Sequence, residues 1–226
     1  MIQKEINGFS HIKYESKSFN SNEMIDRSKS YFEWSDQRRS VREISSKNFP
    51  IEVIENIIKT ASTAPSGAHK QPWTFCVIAS PDMKQKIRAA AEEEEKVNYG
   101  GRMSEKWKED LLPFATDWKK PFLEESPYLI VVFKRVFELG EEGTKINNYY
   151  VNESVGIACG MLISAIHNAG LVTLTHTPSP MNFLTEILER PENERPFLLL
   201  PVGYPSDDTY VPLLKRKKLD EVMITY

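Results

Sequence analysis

A chain of 226 residues with 40% apolar and 27% charged side chains can bury a substantial core in one large domain or two small ones, which excludes an intrinsically disordered protein. With 29 Lys and Arg against 32 Asp and Glu, the formal charge is −3, so no global basic field is available to nucleic acid. Two cysteines, Cys76 and Cys159, exclude a disulfide scaffold or a Cys-rich zinc module, and ten glycines form neither a G-x-G-x-x-G nor a Walker loop.

The first 30 residues are polar and read as an arm without a signal peptide. No run approaches the roughly 20 apolar residues of a membrane span, so the chain reads as cytoplasmic. A helix over 51–61, entered through Pro50, carries apolar residues at 51, 53, 54, 57 and 58. The β-branched and aromatic run 73–79 predicts a buried strand, and Ser80-Pro81 caps a helix over 82–97 that runs into four glutamates. A further helix is expected over 104–117 and a strand over 128–133. The helix over 152–168 is apolar nearly all round and ends before Gly170, which predicts burial on all sides or a subunit interface. Strands over 171–174 and 197–202 complete an α+β pattern. The domain reading is an arm over 1–33, one domain over 34–204 and a C-terminal arm over 205–226, whose apolar residues must cover something, a partner subunit included.

Several constellations carry chemistry. In an extended segment Arg38, Ser40 and Arg42 point to one side, where guanidinium forks and a hydroxyl suit a phosphate monoester; a solvated basic turn is the plain alternative. The loop 63–69 (TAPSGAH) is small enough for backbone N–H groups to approach a planar ligand, as ordinary helix-to-strand loops also are. His69 in that loop lacks a Cys or Asp partner at catalytic spacing. Glu95 and Tyr99 are four apart and share a helical face, and with Lys119 or Lys120 they offer opposite charges to an amino-acid zwitterion. A solvated acidic face accounts for the same glutamates. Thr173, Thr175 and Thr177 alternate to one side of an extended segment, either as edge-strand threonines or as hydroxyls aimed at a cofactor ring nitrogen. The basic run 215–218 reads as a solvated face unless it folds back beside the first arginines. The four histidines have no ligand-like spacing, and no metal site is expected.

Together RRSVR at 38–42, TAPSGAH at 63–69, QPWTF at 71–75, EEEEKVNY at 92–99, NAGLVTLTHTP at 168–178 and VPLLKRK at 211–217 resemble the flavin-dependent nitroreductase superfamily, and within it the iodotyrosine deiodinase branch. The resemblance covers 34–226 and implies a nitroreductase-like fold with a central, mainly antiparallel sheet flanked by helices, in a domain-swapped homodimer with active sites at its interface. It implies FMN held by Arg38, Arg39, Ser40, Arg42, Pro65, Ser66, Thr175, His176, Thr177 and Arg216, with the Thr177 hydroxyl as the catalytic group near the flavin N5. Glu95, Tyr99 and Lys120 match a lid that grips the substrate's ammonium and carboxylate, and the Ala68 amide matches a donor to its phenolate. The implied reaction is one-electron, FMN-dependent dehalogenation of halotyrosines, fed by an external electron donor or reductase; NADP is among the associated coenzymes, and without a dinucleotide fingerprint the donor itself is open. A broader nitroreductase or flavin reductase on the same scaffold is the alternative, and a flavin-storage or amino-acid-binding protein a third.

Overall fold

The structure, a computed structural model, describes residues 3–226. Its contacts divide the chain into two units, Met1–Arg38 and Arg39–Tyr226.

In the first unit, β1 (Gln3–Ile6) and β2 (Phe9–Ile12) form an antiparallel hairpin. Asn7 and Gly8 turn it with φ of 52° and 81°, the paired positive values that a tight hairpin turn favours. Helix α1 (Ser21–Asp36) starts at a reciprocal cap, in which the Asn20 side chain accepts from the Glu23 N–H at 3.0 Å and the Glu23 carboxylate accepts from the Asn20 N–H at 3.3 Å. The expected boundary between 33 and 34 therefore falls inside a helix, and the contacts separate after Arg38 instead. The signals for these elements, Asn7-Gly8 and Asn20-x-x-Glu23, lay in the segment read only as a polar arm.

The second unit runs through α2 (Ile51–Ser62), β3 (Trp73–Ile78), α3 (Pro81–Val97), a π-helical turn (Asn98–Arg102), α4 (Glu105–Leu111), α5 (Phe122–Glu125) and β4 (Tyr128–Arg135). The small hairpin β5 (Phe137–Leu139) and β6 (Lys145–Asn147) follows, then α6 (Val151–Asn168), β7 (Val172–Thr173), α7 (Phe183–Ile187) and β8 (Glu194–Gly203). The main sheet has the order β3-β4-β8-β7 with every neighbouring pair antiparallel, as the resemblance implies.

The period of two along β4 sorts its side chains onto two cores. Tyr128, Ile130 and Val132 pack with α2 and α6 on one face, while Leu129, Val131 and Phe133 pack with Ile87, Phe122, Leu123 and Leu184 on the other. Both faces are covered, so β4 reads as an unbroken apolar run. Each fully buried Leu or Ile contributes roughly 1.5–3 kcal/mol relative to exposure.

The structure corrects two helix expectations. The helix expected over 104–117 stops at Leu111, passes into a short 3-10 turn, and ends where Ala115 takes a left-handed φ of 47°. Helix α6 buries one face only, through Ser154, Val155, Ala158, Cys159, Leu162 and Ile166. On its other side Ile157 is 47% exposed, and a Cβ added at Gly156 or Gly160 would meet nothing within 4 Å. Gly170 closes the helix as expected: with φ of 74° it donates to the His167 carbonyl, and Leu171 donates to Ile166.

Candidate active site

Helix α3 builds the first wall. Ser80 accepts from the Met83 N–H at 3.4 Å, Pro81 occupies the first turn, and Lys84, Ile87, Ala91 and Glu95 form the buried stripe. A carboxylate on that stripe is carried inward with its apolar neighbours, and Glu95 is only 7% exposed. The glutamates then divide by periodicity: Glu92 and Glu95 turn inward, whereas Glu93 pairs with Lys96 and Glu94 with Arg102.

Beyond α3, the segment 98–120 loops out and returns. Tyr99 donates its hydroxyl to the Thr116 carbonyl at 3.2 Å. Lys120, 5% exposed, stands over the Tyr99 ring at 5.6 Å and donates to the Thr116 hydroxyl at 3.3 Å and to the Asp117 carbonyl. Burial pushes the Glu95 carboxyl up while Lys120 pulls it back, and burial lowers the Lys120 ammonium while Glu95 and Asp117 raise it. The Tyr99 phenol is raised by burial and by Glu95. Arg42 reaches the same group, with its guanidinium 5.4 Å from the Phe114 ring, and its field acts on Tyr99, Lys120 and His176. Lys119 is exposed and stacks on Trp118 at 5.6 Å, so Lys120 is the lysine that faces inward.

A second wall comes from the arginine segment. Ser40 bridges Thr173 in parallel and Val41 donates to the Thr173 carbonyl at 3.2 Å, which lays 40–42 beside the end of β7. Val41 is buried, leaving Ser40 and Arg42 partly exposed. The tail then returns along 43–45: Ile44 bridges Pro205, Ser206 donates to the Glu43 carbonyl at 3.0 Å, and Arg39 donates to the Pro212 carbonyl. Arg216 lies beyond that point among exposed residues. Arg38 ends the first unit, its N–H bonded to the Ser35 carbonyl at 3.2 Å.

Of the threonines expected to share one side, Thr175 and Thr177 are exposed but Thr173 is buried by the pairing with Ser40. His176 between them turns inward. It is 6% exposed, its backbone exchanges hydrogen bonds with Leu199, and its ring meets Phe122 edge-on at 5.6 Å. Its Nε2 is buried without a hydrogen-bond partner, and burial together with Lys120 and Arg42 lowers its pKa to about 3, so the ring is neutral.

The loop 65–69 is strained, with φ of 48° at Ala68 and 55° at His69, and Gln71 follows at 47°. Ser66 accepts from the Gln71 N–H at 2.9 Å, and Gly67 donates to the Ser154 hydroxyl at 3.3 Å. Position 67 is crowded, since a Cβ there would sit 3.0 Å from the Tyr150 ring and 3.1 Å from the Tyr149 carbonyl, and either neighbour would have to give by a few tenths of an ångström. These bonds fasten the loop to α6, and they run to neither Glu95 nor Lys120. Its exposed residues are Pro65, Ala68 and His69. Among the described residues no group of three or more His, Cys, Asp or Glu assembles for a metal, and no helix is long and apolar enough to cross a membrane.

Sequence reasoning passed over Arg88, Glu92, Arg102, Phe114 and Thr116. The inward face of α3 was legible for Glu92, but loop residues such as Thr116 carry no periodic signal.

A model of the nitroreductase family matches residues 36–204. An iodotyrosine deiodinase from Haliscomenobacter hydrossis is 61% identical over 215 residues, 95% of this chain and 97% of that protein. The chain belongs to the nitroreductase family, in its iodotyrosine deiodinase branch. The human iodotyrosine deiodinase 1 is 49% identical over 216 residues, 95% of this chain and 75% of that protein. Among solved structures, oxidized iodotyrosine deiodinase bound to FMN and 3-iodo-L-tyrosine matches with a TM-score of 0.74 and 32% identity, over 86% of this chain and 97% of that one.

Proposed function

We propose that this chain is an FMN-dependent oxidoreductase that removes halogen reductively from 3-halotyrosines such as 3-iodotyrosine. The observation that carries the reading is the buried pair of opposite charges, Glu95 and Lys120, on one side chain cluster with Tyr99. Burying both ions is costly unless each is paired with opposite charge; Lys120 is held by the neutral Thr116 hydroxyl and Asp117 carbonyl, and a free amino acid brings an ammonium to Glu95 and a carboxylate to Lys120. Glu95 takes the ammonium, Lys120 the carboxylate, and Tyr99 closes over the ligand.

The other residues fit a flat cofactor that ends in a phosphate. Arg39, Ser40 and Arg42 supply charge-assisted and hydroxyl donors beside the end of β7, with Arg216 as a further cation. The exposed Thr175 and Thr177 hydroxyls follow on the same strand end, and Thr177 serves as the donor to N5. His176, buried against Phe122, contributes its backbone and packing rather than an exposed ring. When bound, FMN supplies two electrons in single steps. The carbon–halogen bond breaks, one proton and two electrons go to the ring carbon, and halide and tyrosine leave. The lid orients the ring and excludes water, while Pro65, Ser66 and the Ala68 amide form the surface that meets the flavin and the phenolate.

We further infer a homodimer with active sites at its interface. The open glycine face of α6 and the exposed tail, with Leu213 at 96% and Ile224 at 77%, support it. The electrons come from an external donor or reductase of the NADP-linked kind, and the two free cysteines suit the reducing cytoplasm.

The test is anaerobic reduction of the flavin-loaded protein followed by 3-iodotyrosine. Reoxidation with stoichiometric iodide and tyrosine is expected, and an unchanged reduced spectrum would make the protein a binder. Glu95→Gln should cripple this turnover and spare a small nitroaromatic; equal losses on both would leave only a broad nitroreductase.

A further inference from the structure

We propose that Glu92 is a positioning residue for the substrate clamp, setting where Lys120 stands relative to Glu95 by holding the Lys120 backbone. The proposal rests on the reading of Glu95, Tyr99 and Lys120 as that clamp.

Glu92 and Glu95 lie three apart on the inward side of α3, so two carboxylates compete for one ammonium. Their partners separate them. The Glu92 Oε1 accepts from the Lys120 N–H at 2.8 Å and from the Arg88 Nε at 2.8 Å. Arg88 in turn donates through Nη1 to Glu124 on α5 at 3.0 Å. The side chains of Glu92 and Arg88 are 16% and 29% exposed, so solvent screens this chain of bonds only in part. Burial works against the Glu92 charge, but the Lys120 N–H and Arg88 outweigh it and leave its carboxyl below the ordinary value. Glu92 is thus spent within the protein, and Glu95, with no hydrogen-bonded cation of its own, is left for the ligand.

The geometry also says what Glu92 controls. Lys120 is where the chain re-enters the body after the excursion that starts at Asn98, one residue before Pro121 and α5. Fixing the return point of a loop of that length costs closure entropy that local contacts must offset, and the Tyr99 bond to Thr116 is one such contact. The Glu92 carboxylate pins the Lys120 N–H to the same helix that carries Glu95. Both ends of the clamp are thereby referred to α3, which fixes the distance between ammonium and carboxylate subsites.

The experiment uses flavin-loaded wild type, Glu92→Ala and Glu92→Gln, titrated with 3-iodotyrosine, with 3-iodotyramine, which lacks the carboxylate, and with 3-(4-hydroxy-3-iodophenyl)propionate, which lacks the ammonium. Glu92→Ala should weaken the two carboxylate-bearing ligands by about 10-fold and leave 3-iodotyramine unchanged. Glu92→Gln keeps an acceptor for the Lys120 N–H and should recover most of that loss. Equal weakening of all three ligands, no weakening of any, or a Gln variant as poor as Ala overturns the positioning role. If the wild type binds all three alike, the clamp reading fails and takes this proposal with it.

Discussion

Arg102 donates through Nη1 to the carbonyl of Ser179 at 2.7 Å, tying the π-helical turn after α3 to a residue two positions beyond Thr177. The same nitrogen reaches Glu94 at 3.1 Å and the Asn98 side chain at 3.2 Å. The proposed substrate lid is therefore bonded to the segment that carries the proposed N5 donor. Arg102→Ala should raise KM for 3-iodotyrosine by roughly 10-fold. Because the Arg102 side chain is 48% exposed, the stability loss should stay below about 1 kcal/mol. Steady-state kinetics and thermal unfolding together check this, and a large drop in Tm with unchanged KM would contradict it.

In the proposed clamp, Glu95 should set an acid limit on substrate binding. Its carboxyl is raised by burial and must be ionised to take an ammonium, so affinity should fall as pH drops, beginning above the ordinary carboxylate value of 4.5. For stability the sign is opposite: the folded state holds this proton more tightly than the unfolded one, so the Glu95 contribution worsens as pH rises through its raised pKa. Dissociation constants for 3-iodotyrosine across that range should show the acid loss in wild type and a flat profile in Glu95→Gln.

His176 should make the fold acid-sensitive. Its pKa is lowered from 6.5 to about 3, so its contribution is fully present above 6.5 and is lost as pH falls toward about 3. His176→Leu removes both the titration and the unpartnered Nε2. Thermal unfolding between neutral pH and pH 4 should fall steeply for wild type and less for the variant. Parallel curves would place the acid sensitivity elsewhere.

Gly160 tests the proposed subunit contact. The Cβ of a larger residue there would meet nothing within 4 Å among the described residues, so the face has room for a side chain to start. An isolated chain should gain from the glycine-to-leucine difference in helix propensity, which favours leucine. If a second copy packs on this face, Gly160→Leu should shift the protein to monomers in sedimentation and lower its flavin content. An unchanged dimer would move the interface off α6.

The elements that lie in periodic sequence were legible in advance. The strands β3, β4 and β8 follow β-branched and aromatic runs, and α2, α3 and α6 follow apolar positions, with Pro50 before α2, Ser80-Pro81 at the start of α3 and Gly170 after α6. Those are local effects of backbone sterics and side-chain period, present in any window of the chain. The stripe of α3 likewise carried Glu95 inward with Ile87 and Ala91.

What only the tertiary structure decided depends on neighbours far along the chain. Lys120 rather than Lys119 turns inward because Glu92 holds its backbone and Thr116 and Asp117 take its ammonium. Thr173 is buried where its strand is paired with both Ser40 and Val202, while Thr175 lies beyond that pairing and is exposed. The apolar circumference of α6 specified burial but not by what, and in one chain half of it stays open. A loop has no period to read, and a helix face names no partner, so these choices rest with packing between distant segments.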